Sequence, residues 1–109
     1  MADVPKILAQ TAPAATTLTD SYTVPGATSA VVSSFSVCNR GGTDTTYRIA
    51  IAVAAAADAT KQYIAYDAPL EANDSFFGTL GIGLATTDVV RVYAGNANLS
   101  FTFFGIEIT

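Results

Sequence analysis

Apolar and polar residues alternate with a period of two along most of this chain, and the alternation breaks at Pro, Gly, Asn and Asp. In TYRIAIAV, residues 46–53, the bulky positions Tyr47, Ile49, Ile51 and Val53 come every second residue, against Thr46, Arg48, Ala50 and Ala52. A helix would place its apolar residues three and four apart, so this spacing predicts a strand with one buried face. The alanine-rich run that follows, AAAADAT, has no large residue to anchor a helix face and is too short to repay helix nucleation. It is expected to be a loop, with a single helical turn as the other option. KQYIAYDAPL, residues 61–70, then reads as a second strand. Ile64 and Tyr66 face one side of it, Lys61, Tyr63 and Asp67 the other, and Pro69 closes it by removing a ladder donor.

The same grammar covers the rest of the chain. PKILAQTA and TLTDSYTV are strands split by Pro13 and closed by a turn at Pro25 and Gly26. SAVVSSFSVCNR is a long strand ending where Gly41 and Gly42 are expected to supply positive φ for a turn. DSFFGTLGIGL alternates Phe76, Leu80, Ile82 and Leu84 against Phe77, Thr79, Gly81 and Gly83. DVVRVYA and LSFTFFGIEIT are joined by the hairpin loop GNAN. In the last strand the apolar parity changes, from Leu99, Phe101 and Phe103 to Phe104, Ile106 and Ile108. A bulge near Phe103 explains this, and so does a strand covered on both faces by a neighbouring subunit.

About eight short strands without a helix imply an all-β, antiparallel two-sheet β-sandwich, jelly-roll-like, with the long strands 30–39 and 99–109 as central members. Residues 1–109 form one such domain. Residues 1–18 are either a plain edge strand or an extended N-terminal arm that adds to an adjacent subunit's sheet.

Composition then removes most chemistry. Charged residues make up 13% of the chain, scattered singly, with a net charge of −4 and no basic cluster, which excludes a phosphate-binding surface. There is no histidine, so the commonest general base and metal ligand is missing. The single cysteine, Cys38, precludes an intramolecular disulfide and reads as a small buried hydrophobe near a strand end. The longest wholly apolar run, residues 49–57, is half a membrane span, and Asp3 and Pro5 interrupt what would be the apolar core of a signal peptide. Synthesis in cytoplasm is therefore expected, and the sequons at Asn73 and Asn98 are set aside.

The remaining candidates are few. Asp67, Glu71 and Asp74 gather around Pro69, where paired carboxylates or a calcium loop can be sought, but their spacing fits a polar turn better than either. Gly78, Gly81 and Gly83 are not followed by a helix that a phosphate loop would need; they are expected to let a backbone or an aromatic ring approach closely. Arg40, Arg48 and Arg91 are isolated, to be solvated or paired across a sheet. Tyr22, Tyr47, Tyr63, Tyr66 and Tyr93 suit an interface and a strand face equally. No enzyme, cofactor or metal site is expected.

In KILAQTAPAATTLTDSYTVP, VVSSFSVCNRGGTDTTYRIAIAVA and DVVRVYAGNANLSFTFFGIEI, with the VCNRG turn, the KQYIAYD tyrosine and the VYAGNANLSF hairpin, the chain resembles small proteins encoded among the virion genes of tailed bacteriophages. The resemblance implies a capsid decoration, or cement, protein: a homotrimer on the capsid surface that binds the major capsid protein and stabilises the head. It would be made in the host bacterial cytoplasm and bind neither nucleic acid nor membrane. The alternative it implies is a collar or tail-fibre module whose loops 54–61 and 67–75 contact a host glycan or another fibre protein. Candidate contact residues are Ile7, Leu8, Leu18, Tyr22, Tyr63 and Phe104.

Overall fold

Eight strands follow one another in the computed structural model, which describes residues 2–109: β1 (Asp3–Thr11), β2 (Thr19–Thr23), β3 (Ser29–Asn39), β4 (Thr45–Ala52), β5 (Tyr63–Leu70), β6 (Ser75–Leu84), β7 (Val89–Ala94) and β8 (Leu99–Ile108). They form two four-stranded antiparallel sheets, sheet A in the order β1-β8-β3-β6 and sheet B in the order β2-β7-β4-β5. Strand β1 pairs with β8, β2 with β7, β3 with β6 and β4 with β5. The chain is thus one long two-stranded ribbon doubled back on itself, with β4–β5 as its closed end. Folding that ribbon over gives the jelly-roll strand order.

The two sheets bury one continuous core, in which Val37, Ile49, Val92, Leu99, Phe101 and Phe103 are almost wholly inaccessible. Along β3 and β8 these residues alternate with exposed or half-exposed neighbours, as one-sided burial requires, while β4 and β7 depart from it at Ala50 and at Val89–Val90, which are buried in succession. Phe103 stacks on Phe35 at 6.1 Å within sheet A, while Phe101 meets Tyr47 of sheet B edge-on, also at 6.1 Å. Strands β3 and β8 are the central strands of sheet A.

The alanine-rich segment is two single 3₁₀ turns, Val53–Ala55 and Thr60–Gln62, not a featureless loop. Asp88 accepts hydrogen bonds from the Ala54 and Ala85 backbone N–H groups, both at 2.9 Å. The Gln62 amide donates to the Ala57 carbonyl oxygen at 2.9 Å. The first turn is held by Asp88 from a distant part of the chain and the second by its own Gln62, contacts that helix propensity alone does not reveal.

Positive φ falls on Thr16, Ala27, Ala54, Ala55, Asp67, Asn73 and Thr87 and on no glycine, so the expectation for Gly41 and Gly42 is corrected. Gly41 packs for a different reason: a side-chain carbon there would displace the exposed Asn98 amide. The ring-approach expectation holds at Gly78, where a Cβ would strike the Phe35 ring, whereas Gly81 and Gly83 face open space. Pro69 lies within β5, opposite Thr46, and does not close it; as β5 is an edge strand, the missing donor is tolerated.

The parity change in the last strand has a cause outside that strand. Strand β8 alternates without interruption, while its neighbours each carry one extra residue at the same level: Leu8 in β1, where the register steps from Ile7–Phe104 to Ala9–Phe103, and Ser33 in β3. Leu8 turns onto the core and takes the space left by Gly105, where a Cβ would lie 2.9 Å from Leu8 Cδ1 and overlap the Val31 carbonyl oxygen. Phe104, Ile106 and Ile108 accordingly face outward.

Candidate functional site

The acidic residues are dispersed, and most are engaged in structural contacts. Asp67, on β5, is ion-paired with Arg48 at 2.7 Å. The carboxylate of Asp74 accepts from its neighbour Ser75 N–H, and Glu71 contributes its carbonyl oxygen, which accepts from the Asn39 amide at 3.1 Å. The three do not converge, and among the described residues no group of three His, Cys, Asp or Glu side chains is placed to hold a metal ion. Glu107 links the sheets: its carboxylate accepts from Tyr22 Oη at 2.6 Å and Lys6 Nζ at 2.9 Å. Those two donors, Tyr22 first, hold Glu107 below its ordinary pKa, while burial and then Glu107 push the Tyr22 phenol up.

What remains are the two outer faces of the sandwich. The register across sheet A sets Pro5, Ile106, Val31 and Gly83 in one outward row, and Ile7, Phe104, Ser34 and Thr79 in the next. Further rows hold Asp3, Ile108 and Ser29 at one end, then Gln10, Thr102, Ser36 and Phe77, and Ser100, Cys38 and Ser75 at the other. Asp3 alone among these residues carries a charge. Phe77 is 74% exposed and Ile7 46%. Cys38 is half-exposed on this face beside Ser100 and Ser75, a correction to its expected burial: its neighbour Val37 takes the inward position.

Of the expected contact residues, Ile7 and Phe104 face each other across strands β1 and β8 on this surface. Leu8 turns inward at the bulge, and Leu18 is half-buried in the connection before β2. Tyr22 is a core residue, 8% exposed, because its hydroxyl finds Glu107 inside the sandwich. Tyr63 lies on the opposite face, opposite Ala50 of sheet B.

That second face is built differently. Arg48 lies with its guanidinium carbon 4.0 Å from the Tyr66 ring centroid and 4.3 Å from that of Tyr93, while Nε and Nη2 donate to the two Asp67 oxygens at 2.7 and 3.3 Å. The Asp67 contact holds Arg48 above its ordinary pKa against the opposing effect of burial. Tyr63 and Tyr66 meet edge to face, centroids 5.0 Å apart and ring planes at 88°. Strict alternation would have put these two rings on opposite sides of β5. The register shift between Ile49 and Ala50, which adds Ile64 between Ala65 and Tyr63, places them on one side. Arg91 pairs with Asp20 at 2.9 Å and donates to the Ala56 carbonyl oxygen, tying the 3₁₀ segment to the sheet.

Fold and surface together define an antiparallel jelly-roll sandwich with one nearly charge-free outer face and one aromatic, ion-paired outer face. No family model, no curated protein and no solved structure matches this chain.

Proposed function

We propose that this chain is a non-enzymatic structural protein of a phage virion, a capsid decoration protein that docks on the major capsid protein as a homo-oligomer and stabilises the head. The observation that carries this reading is the outer face of sheet A, with its apolar corner of Pro5, Ile7, Phe104, Ile106 and Ile108 and charges only at its two ends, Asp3 at one and Arg40, bonded to Ser100, at the other. Small soluble monomers seldom leave a contiguous apolar patch wet. A four-stranded face of strands this long spans about 600 Å², close to the roughly 800 Å² per partner of a stable protein contact.

Docking by this face suits the edge geometry. Ala2 and Thr109 exchange two backbone hydrogen bonds of 3.0 Å, so Asp3, Pro5 and Ile7 turn their backbone groups to the open edge of β1. Pro5 has no N–H to offer there, which blunts strand addition and leaves the flat face as the adhesive surface. Decoration then works by mass action: a protein that binds only the assembled lattice stabilises it by its binding free energy, repeated at every site.

The test is made on particles of the phage that encodes the chain. The reading expects the protein in near-stoichiometric ratio to the major capsid protein and a lower disruption temperature for heads that lack it. A few copies per particle, or equal disruption temperatures, would remove it.

A further inference from the structure

We infer that the Tyr63–Tyr66 corner on the outer face of sheet B, with Arg48, Asp67 and Thr60 around it, is a binding site for a neutral hexopyranose, such as a terminal sugar of a surface glycan. This inference stands apart from the virion reading, because it concerns the opposite sheet and is tested on the isolated chain.

The shape comes first. Thr60, Tyr63 and Tyr66 line an open notch of about 330 Å³, at the small end of the range for small-molecule sites, which starts near 300 Å³. Tyr66 is 58% exposed although Arg48 covers one face of its ring, so the uncovered side of that ring is presented to solvent. Exposed Tyr66 and half-buried Tyr63, held at right angles, give a flat apolar wall and a second wall beside it. The C–H face of a pyranose fits such a corner.

Rigidity comes next. Arg48 is clamped between two tyrosine rings and fixed by two hydrogen bonds to Asp67, so the ring it backs has little freedom left to lose on binding. The register shift that adds Ile64 between Ala65 and Tyr63 sets both rings on one side of β5, and Asp67, at φ 51°, follows them with its carboxylate on Arg48. Register shift and ion pair together hold the corner assembled.

Charge selects the ligand class. Arg48 and Asp67 cancel, and Asp58 beside Tyr63 is occupied with that residue's hydroxyl. Burial and a hydrogen bond to the Asp58 carboxylate push the Tyr63 phenol up; that bond takes its one proton and leaves the phenol oxygen to accept from a ligand hydroxyl. A cationic ligand would meet a ring already engaged by Arg48, and an anion finds no unpaired arginine. Neutral hydroxyls, by contrast, can pair with the Thr60 hydroxyl, the Tyr63 hydroxyl and the outer lone pairs of Asp67.

Isotope-labelled protein titrated with D-galactose, D-glucose, N-acetyl-D-glucosamine and chitotriose, followed by amide chemical shifts, tests this. At least one sugar is expected to shift amides of residues 58–67 and of Arg48 with millimolar affinity. Tyr66→Ala should weaken that sugar about tenfold, Tyr66→Phe should keep most of the affinity, and Phe77→Ser on the other sheet should change nothing. Melting curves of each variant establish that the fold persists; should Tyr66→Ala unfold, the wild-type shift map and Thr60→Val carry the test. No shift with any of the four sugars, shifts confined to sheet A, unchanged affinity in Tyr66→Ala, or tighter binding of choline or glucuronate than of glucose would each overturn the assignment.

Discussion

Replacing Tyr22 by Phe removes one oxygen and with it the hydrogen bond that joins strand β2 of sheet B to strand β8 of sheet A, Tyr22 Oη to Glu107 Oε2 at 2.6 Å. The ring stays, so the core volume is kept and no cavity term enters. A hydrogen bond to a charged group is worth about 1.5–3 kcal/mol. Glu107 retains Lys6 at 2.9 Å and its side chain is 15% exposed, so the carboxylate is not stranded. The lower end applies, about 1.5 kcal/mol, or a fall in Tm of roughly 6 °C for a domain of this size. The pH dependence is the sharper part. Glu107 is held below its ordinary 4.5, so its contribution is present above that pH and is lost as pH falls through the folded-state value. Tyr22 is raised above its ordinary 10.0, so its contribution is present below pH 10.0 and is lost as pH rises toward the folded-state value. Urea melts of wild type and Tyr22→Phe should therefore show a constant gap between pH 4.5 and pH 10.0 that narrows on both sides. A gap that is flat into acid, or a difference below about 0.5 kcal/mol at neutral pH, would mean that the two sheets are not clamped through this pair.

Two matched glycine substitutions separate close packing from strand propensity. Gly105→Ala meets the Val31 carbonyl oxygen and Leu8, and should cost about 1–3 kcal/mol in thermal or urea melts, whereas Gly83→Ala enters open space and should stay within about 0.5 kcal/mol. Equal effects would refute the bulge-filled geometry around Gly105. Asp88→Ala leaves the Ala54 and Ala85 N–H groups without their acceptor and should cost about 1–3 kcal/mol. Hydrogen exchange should speed up most at Ala54 and Ala85; uniform acceleration over the whole chain would show that Asp88 does not hold the 3₁₀ segment locally.

The order and extent of all eight strands were legible because one-sided burial imposes period two on each, and Pro, Gly, Asn and Asp punctuate them. The centrality of β3 and β8 was legible from their length. What alternation cannot carry is the position of an extra residue. The bulges at Leu8 and Ser33 are set by pairing with β8, and the extra residue Ile64 by pairing with β4. Those three places are where side chains land on a face that simple counting does not assign them. Leu8 goes inside and Tyr66 joins Tyr63. Arg48, isolated along the chain, becomes the centre of a cluster only once β4 lies between β5 and β7. Its partnership with Tyr93 was within reach of the sequence, since the two are direct cross-strand neighbours; its partnership with Tyr66 was not.

The uneven use of charge on the two outer faces is the part of this sequence that the fold itself does not require. A sandwich needs apolar residues on its two inner faces and leaves both outer faces free to be polar. Here sheet B carries the Arg48–Asp67 and Arg91–Asp20 pairs, while the strands of sheet A present serine, threonine, glycine and a corner of isoleucine, proline and phenylalanine, with Asp3 and Arg40 only at the two ends. Solubility alone would distribute the few charges over both. Withholding them from one face lowers the desolvation cost of covering it, since hydroxyls and small side chains give up far less hydration than ion pairs. Placing them on the other face fixes the aromatic rings that solvent, or a sugar, can reach. The two faces are opposite sides of one rigid block, so covering the first necessarily presents the second.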